Sequence, residues 1–149
     1  MVRRPTGILV FVTALLTAVV AMRVYAHAAV QKPDAPPQAG GWTLPADAEQ
    51  KKSPLTVDAK VLAAGKSVFK NKCQKCHGAT GLGDGPDADP DHQSDMDLTN
   101  ASRASKNPEG VMFYKVSNGR KKPKMPAFKD ELTEQQIWSV IAYAQSLRK

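Results

Sequence analysis

The sequence predicts an all-α domain with long loops, and three observations predict it. Apolar residues recur at helical spacing over 137–147, helix-start signals stand at Thr56, Asn107 and Thr133, and no segment alternates apolar and polar side chains as a strand does. The helices fall within residues 56–149, and what precedes them has a different composition.

A chain of 149 residues allows one domain with extensions. At the N-terminus, Arg3 and Arg4 precede an apolar stretch over 7–22, and Ala26-His27-Ala28 supplies a small-x-small cleavage site. The stretch is 16 residues long, short for a spanning helix, which needs about 20. Residues 1–28 are therefore expected to be a signal peptide, with an uncleaved membrane anchor as the alternative. Pro33, Pro36, Pro37, Pro45 and Pro54, with Gly40-Gly41 between them, mark 29–55 as a linker. Trp42 is its exception: it either docks on the domain or stands half-exposed.

Three helices are expected beyond the linker. The first runs from about 57 to 72, with Thr56 as N-cap and Asp58 at the positive end of the helix dipole. Val61, Gly65 and Phe69 share one face, and a glycine inside a helix, costing about 1 kcal/mol relative to alanine, points to close approach of another helix. The middle helix is expected between 108 and 117, with Asn107 as N-cap, Pro108 as its first residue and Asn118-Gly119 as its stop. In the last, Thr133 and Gln136 form a capping box, and Leu132 and Ile137 a hydrophobic staple. Ile137, Val140, Ile141, Ala144 and Leu147 then build the apolar face, widened by Trp138 and Tyr143.

The chemistry lies between the first two helices, in Cys73-Gln74-Lys75-Cys76-His77. C-x-x-C-H is the attachment pattern of a c-type haem: two thiols on one helical turn add to the two vinyl groups of a porphyrin, and the following imidazole reaches the iron. The chain has no other cysteine. A thioredoxin-like dithiol would follow a strand, and a zinc site would need two more ligands at metal spacing, for which the isolated His27 and His92 are a poor supply. Attachment of c-type haem outside the bacterial cytoplasm agrees with the expected signal peptide. A sixth ligand is sought in the loop after Gly119. Met125 stands between Pro123 and Pro126, where regular helix is impossible and a rigid loop can present the soft thioether. Met96 and His92 are the alternatives, whereas Met112 falls in a helix as core filler.

Taken in order, Gly65-x-x-x-Phe69, Cys73-x-x-Cys76-His77-Gly78, Met125-Pro126-x-Phe128 and a terminal helix with Tyr143 resemble the class I (monohaem) cytochrome c family. The stretches 78–86 and Asp97-Leu98-Thr99 resemble its bacterial branch. The resemblance implies a small helical domain wrapped around one covalent haem c, with the first and last helices crossed so that Gly65 and Phe69 meet Val140 and Tyr143. It implies thioether bonds at Cys73 and Cys76, His77 and Met125 as axial ligands, and the carbonyl of Pro86 as acceptor for the His77 ring N–H. The Asp-rich loop over 84–97 departs from the family pattern.

Net charge is +7, with 21 basic residues against 14 acidic. Three of the basic ones, Arg3, Arg4 and Arg23, fall in the expected signal peptide, and the other 18 leave +4. Arg120, Lys121, Lys122, Lys124 and Lys129 surround the Met125 loop, with Lys70, Lys72 and Lys75 near the cysteines. A basic rim there would steer acidic redox partners. The modest excess gives no support for nucleic-acid binding. Asp87, Asp89 and Asp91 begin like a calcium loop, but His92 and Leu98 occupy the positions that need Gly and Glu. The expectation is a periplasmic or outward-facing monohaem one-electron carrier, not an enzyme. A tethered haem subunit of an oxidoreductase complex is the first alternative, and a haem-based sensor or peroxidase the second.

Overall fold

The structure, a computed structural model, describes residues 41–148. The expected signal peptide or anchor at 1–28 and the linker up to residue 40 lie outside the described residues. Six α-helices occur within them: α1 (Ala59–Lys72), α2 (Gln74–His77), α3 (Gln93–Met96), α4 (Ala101–Ala104), α5 (Glu109–Asn118) and α6 (Glu134–Ser146). A single 3-10 turn, Pro90–His92, precedes α3. The described residues contain no strand; isolated bridges pair Leu82 with Asp97 and Arg120 with Met125, so the all-α expectation holds.

Helix α1 begins two residues later than its sequence suggests, because Asp58 rather than Thr56 is the cap. The Asp58 carboxylate accepts from the Val61 N–H at 2.7 Å, satisfying one of the donors a helix start leaves open. α1 packs chiefly on α6, and Gly65 is where they touch. A Cβ at Gly65 would lie 2.0 Å from the Ser139 carbonyl oxygen and 2.9 Å from Tyr143 Cβ. One turn on, the Phe69 and Tyr143 rings meet edge to face at 5.3 Å between centroids. The crossing expected of the first and last helices is present, with Ser139 and Tyr143 facing Gly65.

The capping box of α6 forms in both directions: Thr133 Oγ1 accepts from Gln136 N, and Gln136 Oε1 accepts from Thr133 N. Ile137, Trp138, Ile141 and Ala144 are buried with Met112 in one apolar cluster, against which Leu55, Leu98, Phe113, Val116 and Leu132 pack. Trp138, 1% exposed, stacks on Phe113 at 4.5 Å and donates its Nε1–H to Glu134.

α5 starts at Glu109, with Pro108 extended at the cap position and Asn107 outside it. Asn107 is engaged elsewhere: its Nδ2 donates to the Arg103 carbonyl, and its Oδ1 accepts from Lys115. Gly119 ends the helix at φ +61°. Beyond the end of α6, Arg148 reaches back to donate to the Asn107 carbonyl and Met112 Sδ.

The end of the expected linker requires a correction. Residues 41–55 lie on the domain: Leu44 and Ala48 are 2% exposed and form a second apolar cluster with Val111, flanked by Trp42 and Tyr114. Gly110 makes the contact possible, since a Cβ there would stand 2.2 Å from the Ala48 carbonyl oxygen. Few apolar residues are needed to bury a strap without regular helix or strand, so its proline-rich composition reads as a linker. The packed domain begins before residue 56.

Candidate functional site

The end of α1 leads straight into the C-x-x-C-H turn. Cys73 N–H donates to the Phe69 carbonyl and finishes α1, while the Cys73 carbonyl accepts from Cys76 and His77 and starts α2. Both thiols and the imidazole thus come from one short turn. The following loop folds back over it: Gly83 N–H donates to the His77 carbonyl, Gly85 N–H to that of Cys76 and Asp87 N–H to that of Lys75. These bonds satisfy carbonyls that the end of so short a helix leaves open.

A cavity of about 920 Å³ lies against this turn, at the upper end of the size of cofactor sites. Cys73, Cys76, His77 and Met125 all line it, as do Phe69, Val116, Phe128, Val140 and Ile141. The main chain holds Met125 in place: Arg120 and Met125 exchange N–H···O bonds of 2.9 Å in both directions. Phe128 N–H and Lys129 N–H donate to the Val116 and Ser117 carbonyls, fastening the far end of the loop to α5.

His77 Nδ1 lies 2.7 Å from the Met96 carbonyl. With the proton on Nδ1 as donor, Nε2 keeps its lone pair for a metal, and the bond fixes the ring's orientation. This corrects the expectation for Pro86, which is exposed and does not line the cavity. The loop carrying Pro86 turns along the back of α2, while α3 brings Met96 to the ring. Burial lowers the His77 pKa and the Met96 bond opposes that in part, which favours the neutral imidazole that a metal requires.

Burial, with Cys76 alongside, pushes the Cys73 thiol up to about 12. A redox dithiol works through a thiolate of lowered pKa, so the environment of Cys73 runs opposite to that chemistry. His92 does not line the cavity; it lies 3.6 Å from Asp95 at the surface. Met96 and Met112 do line it, but the Met96 carbonyl is engaged with His77, and Met112 is buried in the core with Arg148 on its sulfur. Among the described residues no three His, Cys, Asp or Glu side chains come together as a metal-ion site. Two thiols on one turn, an imidazole tied at Nδ1, a loop methionine and a largely apolar cavity of this volume fit a haem.

The basic residues divide once their positions are known. Lys121, Lys122 and Lys124 are exposed beside Met125. Lys72 is paired with Glu131 at 2.7 Å, and the Arg120 side chain is only 8% exposed. Two contributors had no sequence signal, the Met96 carbonyl and the inward-turned Arg120, while Trp42, singled out in the expected linker, docks on the cavity wall.

The Cytochrome c family model matches residues 62–148. No curated protein matches the chain. Among solved structures, the chain is similar to one in the Kuenenia stuttgartiensis reducing HAO-like protein complex Kustc0457/Kustc0458. They share 27% identity over 65% of this chain and 48% of that one, with a TM-score of 0.54, so the chain spans about half the length of that relative. It also resembles the KustC0563 c-type cytochrome at 22% identity, over 57% of this chain and 98% of that one, with a TM-score of 0.46. Helices, cavity and family match agree: the chain belongs to the cytochrome c family, whose members transfer electrons through covalently bound haem c.

Proposed function

We propose that the chain is an exported monohaem c-type cytochrome that carries one electron between redox proteins and transforms no substrate. The observation that carries this reading is the convergence of Cys73, Cys76, His77 and Met125 on one cavity, with His77 Nδ1 already engaged. Cys73 and Cys76 hold the porphyrin by two thioether bonds, and the chain's only two cysteines suffice for one such group. His77 and Met125 would hold the iron from its two open sides. When bound, the group supplies one-electron chemistry between ferrous and ferric iron, with a potential raised by His/Met ligation. The protein's part is to keep both axial positions filled, to hold the ligands in fixed loops and to exclude water with Phe69, Val140 and Ile141.

Residues 1–28 direct export, as a cleaved signal peptide or a retained anchor, and place the domain in the periplasm or facing outward. Donor and acceptor dock at the exposed Lys121, Lys122 and Lys124 beside the Met125 loop, so electron transfer slows as salt is raised.

A second reading is a haem subunit fixed to a larger oxidoreductase. The similarity to a chain of a reducing HAO-like protein complex favours it. Co-purification with a partner from the native membrane or periplasm separates a fixed subunit from a free carrier. For either, the first test is the optical spectrum of the exported protein beside Met125→Ala. A covalent haem c spectrum with a methionine-to-ferric charge-transfer band, lost in the variant, is expected. An unchanged band would move the ligand to another methionine. No band in the wild type, with strong CO binding to the reduced protein, would favour a sensor or peroxidase instead.

A further inference from the structure

We propose that Arg120 is a positioning residue for both axial ligands and that Trp42, on the strap that precedes the family match, is its cover; this rests on His77 and Met125 being those ligands. The family match starts at residue 62, so the strap is an addition of this chain to the matched region. Its packing is specific. Leu44 and Ala48 bury against Val111, Gly110 admits their backbone at close range, and Lys51 lies over the Phe113 ring at 4.3 Å.

This anchoring brings the Trp42 ring to the cavity wall, where the Arg120 guanidinium lies 4.6 Å and the Lys115 ammonium 5.0 Å from its centroid. Arg120 joins two parts of the site. Its backbone pairs with Met125 in both directions, and its Nη2 lies 3.8 Å from Asp95 Oδ2. Asp95, gripped also by Arg103 at 2.5 Å, is the neighbour of Met96, whose carbonyl holds His77 Nδ1. One guanidinium therefore links the strand-like stem of the distal loop to the helix that orients the proximal ring.

Such a link has a consequence for ligand exchange. Met125 can leave the iron only if the 120–125 loop opens, and an added ligand competes with that closed loop. An apolar ring over Arg120 keeps water from the pair with Asp95, and an ion pair is weakened by exposure. Removing the ring or the guanidinium therefore favours the open loop. A purely structural role for Trp42 would lower stability without changing how tightly an added ligand binds.

The test is imidazole titration of the oxidised, haem-loaded full chain, with the methionine-to-ferric band recorded throughout. Trp42→Leu keeps apolar bulk but removes the cation-binding face, and Arg120→Gln removes the charge. Both are expected to bind imidazole about tenfold more tightly than wild type, equivalent to about 1.4 kcal/mol of loop closure. Trp42→Phe, which keeps a ring, should recover most of the difference. Wild-type affinity in both haem-loaded variants would overturn the proposal while leaving the ligand assignment intact. If neither variant loads haem, Trp42→Met, which also removes the ring, and Arg120→Met, which also removes the charge, replace them, and affinities equal to wild type in both overturn it equally. A wild type without the methionine band would instead remove the ligand reading, and the proposal with it.

Discussion

Replacing Gly65 with alanine tests the helix crossing through the sign of its effect. In an ordinary helix interior the change would stabilise by about 1 kcal/mol, because alanine is the better helix former. At this crossing the new Cβ would stand 2.0 Å from the Ser139 carbonyl oxygen, 2.7 Å from its carbon and 2.9 Å from Tyr143 Cβ. Two of the three are backbone atoms, so no rotamer change relieves the clash, and α1 and α6 must part by at least about 1 Å to reach 3.0 Å. A gap of that size forfeits a quarter to a half of each dispersion contact it opens, and the contact between Phe69 and Tyr143 lies one turn away. Overpacking of a core costs about 1–3 kcal/mol; set against the gain of about 1 kcal/mol in propensity, a net loss of about 1 kcal/mol is expected. Guanidinium unfolding of the haem-loaded protein, followed by far-ultraviolet circular dichroism, should show a lower midpoint at unchanged slope. A variant as stable as wild type, or more so, would mean that the helices do not cross at Gly65.

Three further outcomes follow from the same contacts. Trp138→Ala removes a side chain that is 1% exposed and stacked on Phe113, and should cost about 4 kcal/mol in the same unfolding experiment. Thr133→Ala breaks one arm of the α6 capping box and should cost about 1 kcal/mol, with the spectrum of the bound haem unchanged. For Asp95, the hydrogen bond from Arg103, helped by the charges of Arg103 and Arg120, holds the carboxyl below its ordinary value of 3.8. Its contribution to stability is therefore present above pH 3.8 and is lost as pH falls through the lower, folded-state value. Asp95→Asn should be less stable than wild type near pH 6, and the difference should shrink as unfolding is repeated at pH values below 3.8.

What could be read in the sequence had its cause in local chemistry. The α6 start is written in Thr133 and Gln136, which satisfy each other's backbone donors without help from the rest of the fold. The Cys73–His77 turn and the loop of Met125 were legible because haem attachment and proline punctuation leave marks on adjacent residues. Gly65 announced a close approach, and the backbone of α6 is what approaches. Pro86 was misread because the acceptor for His77 is a main-chain carbonyl, and every residue but its neighbours offers the same group. Only the path of the chain through α3 selects Met96. The strap was missed because Leu44 and Ala48 have no periodicity, and Arg120 because a charge in a basic run reads as surface.

α5 reveals why these missed features belong together. Its adjacent residues Val111 and Met112 enter different apolar clusters, Val111 against the strap and Met112 against α6. The last turn of the same helix accepts the backbone of Phe128 and Lys129, and its end leads directly into Arg120. One helix therefore carries the strap on one side, leans on the main core with the other and launches the loop that presents Met125. The strap and Met125, the proposed distal ligand, are thus joined through a single helix and the residue that follows it. The cavity is bounded on its proximal side by a turn whose geometry is local, whereas its distal side depends on α5, the strap and the Arg120 link acting together. On the proposed ligation, loss of Met125 should therefore be the first consequence of mild destabilisation, with His77 and the covalent bonds retained.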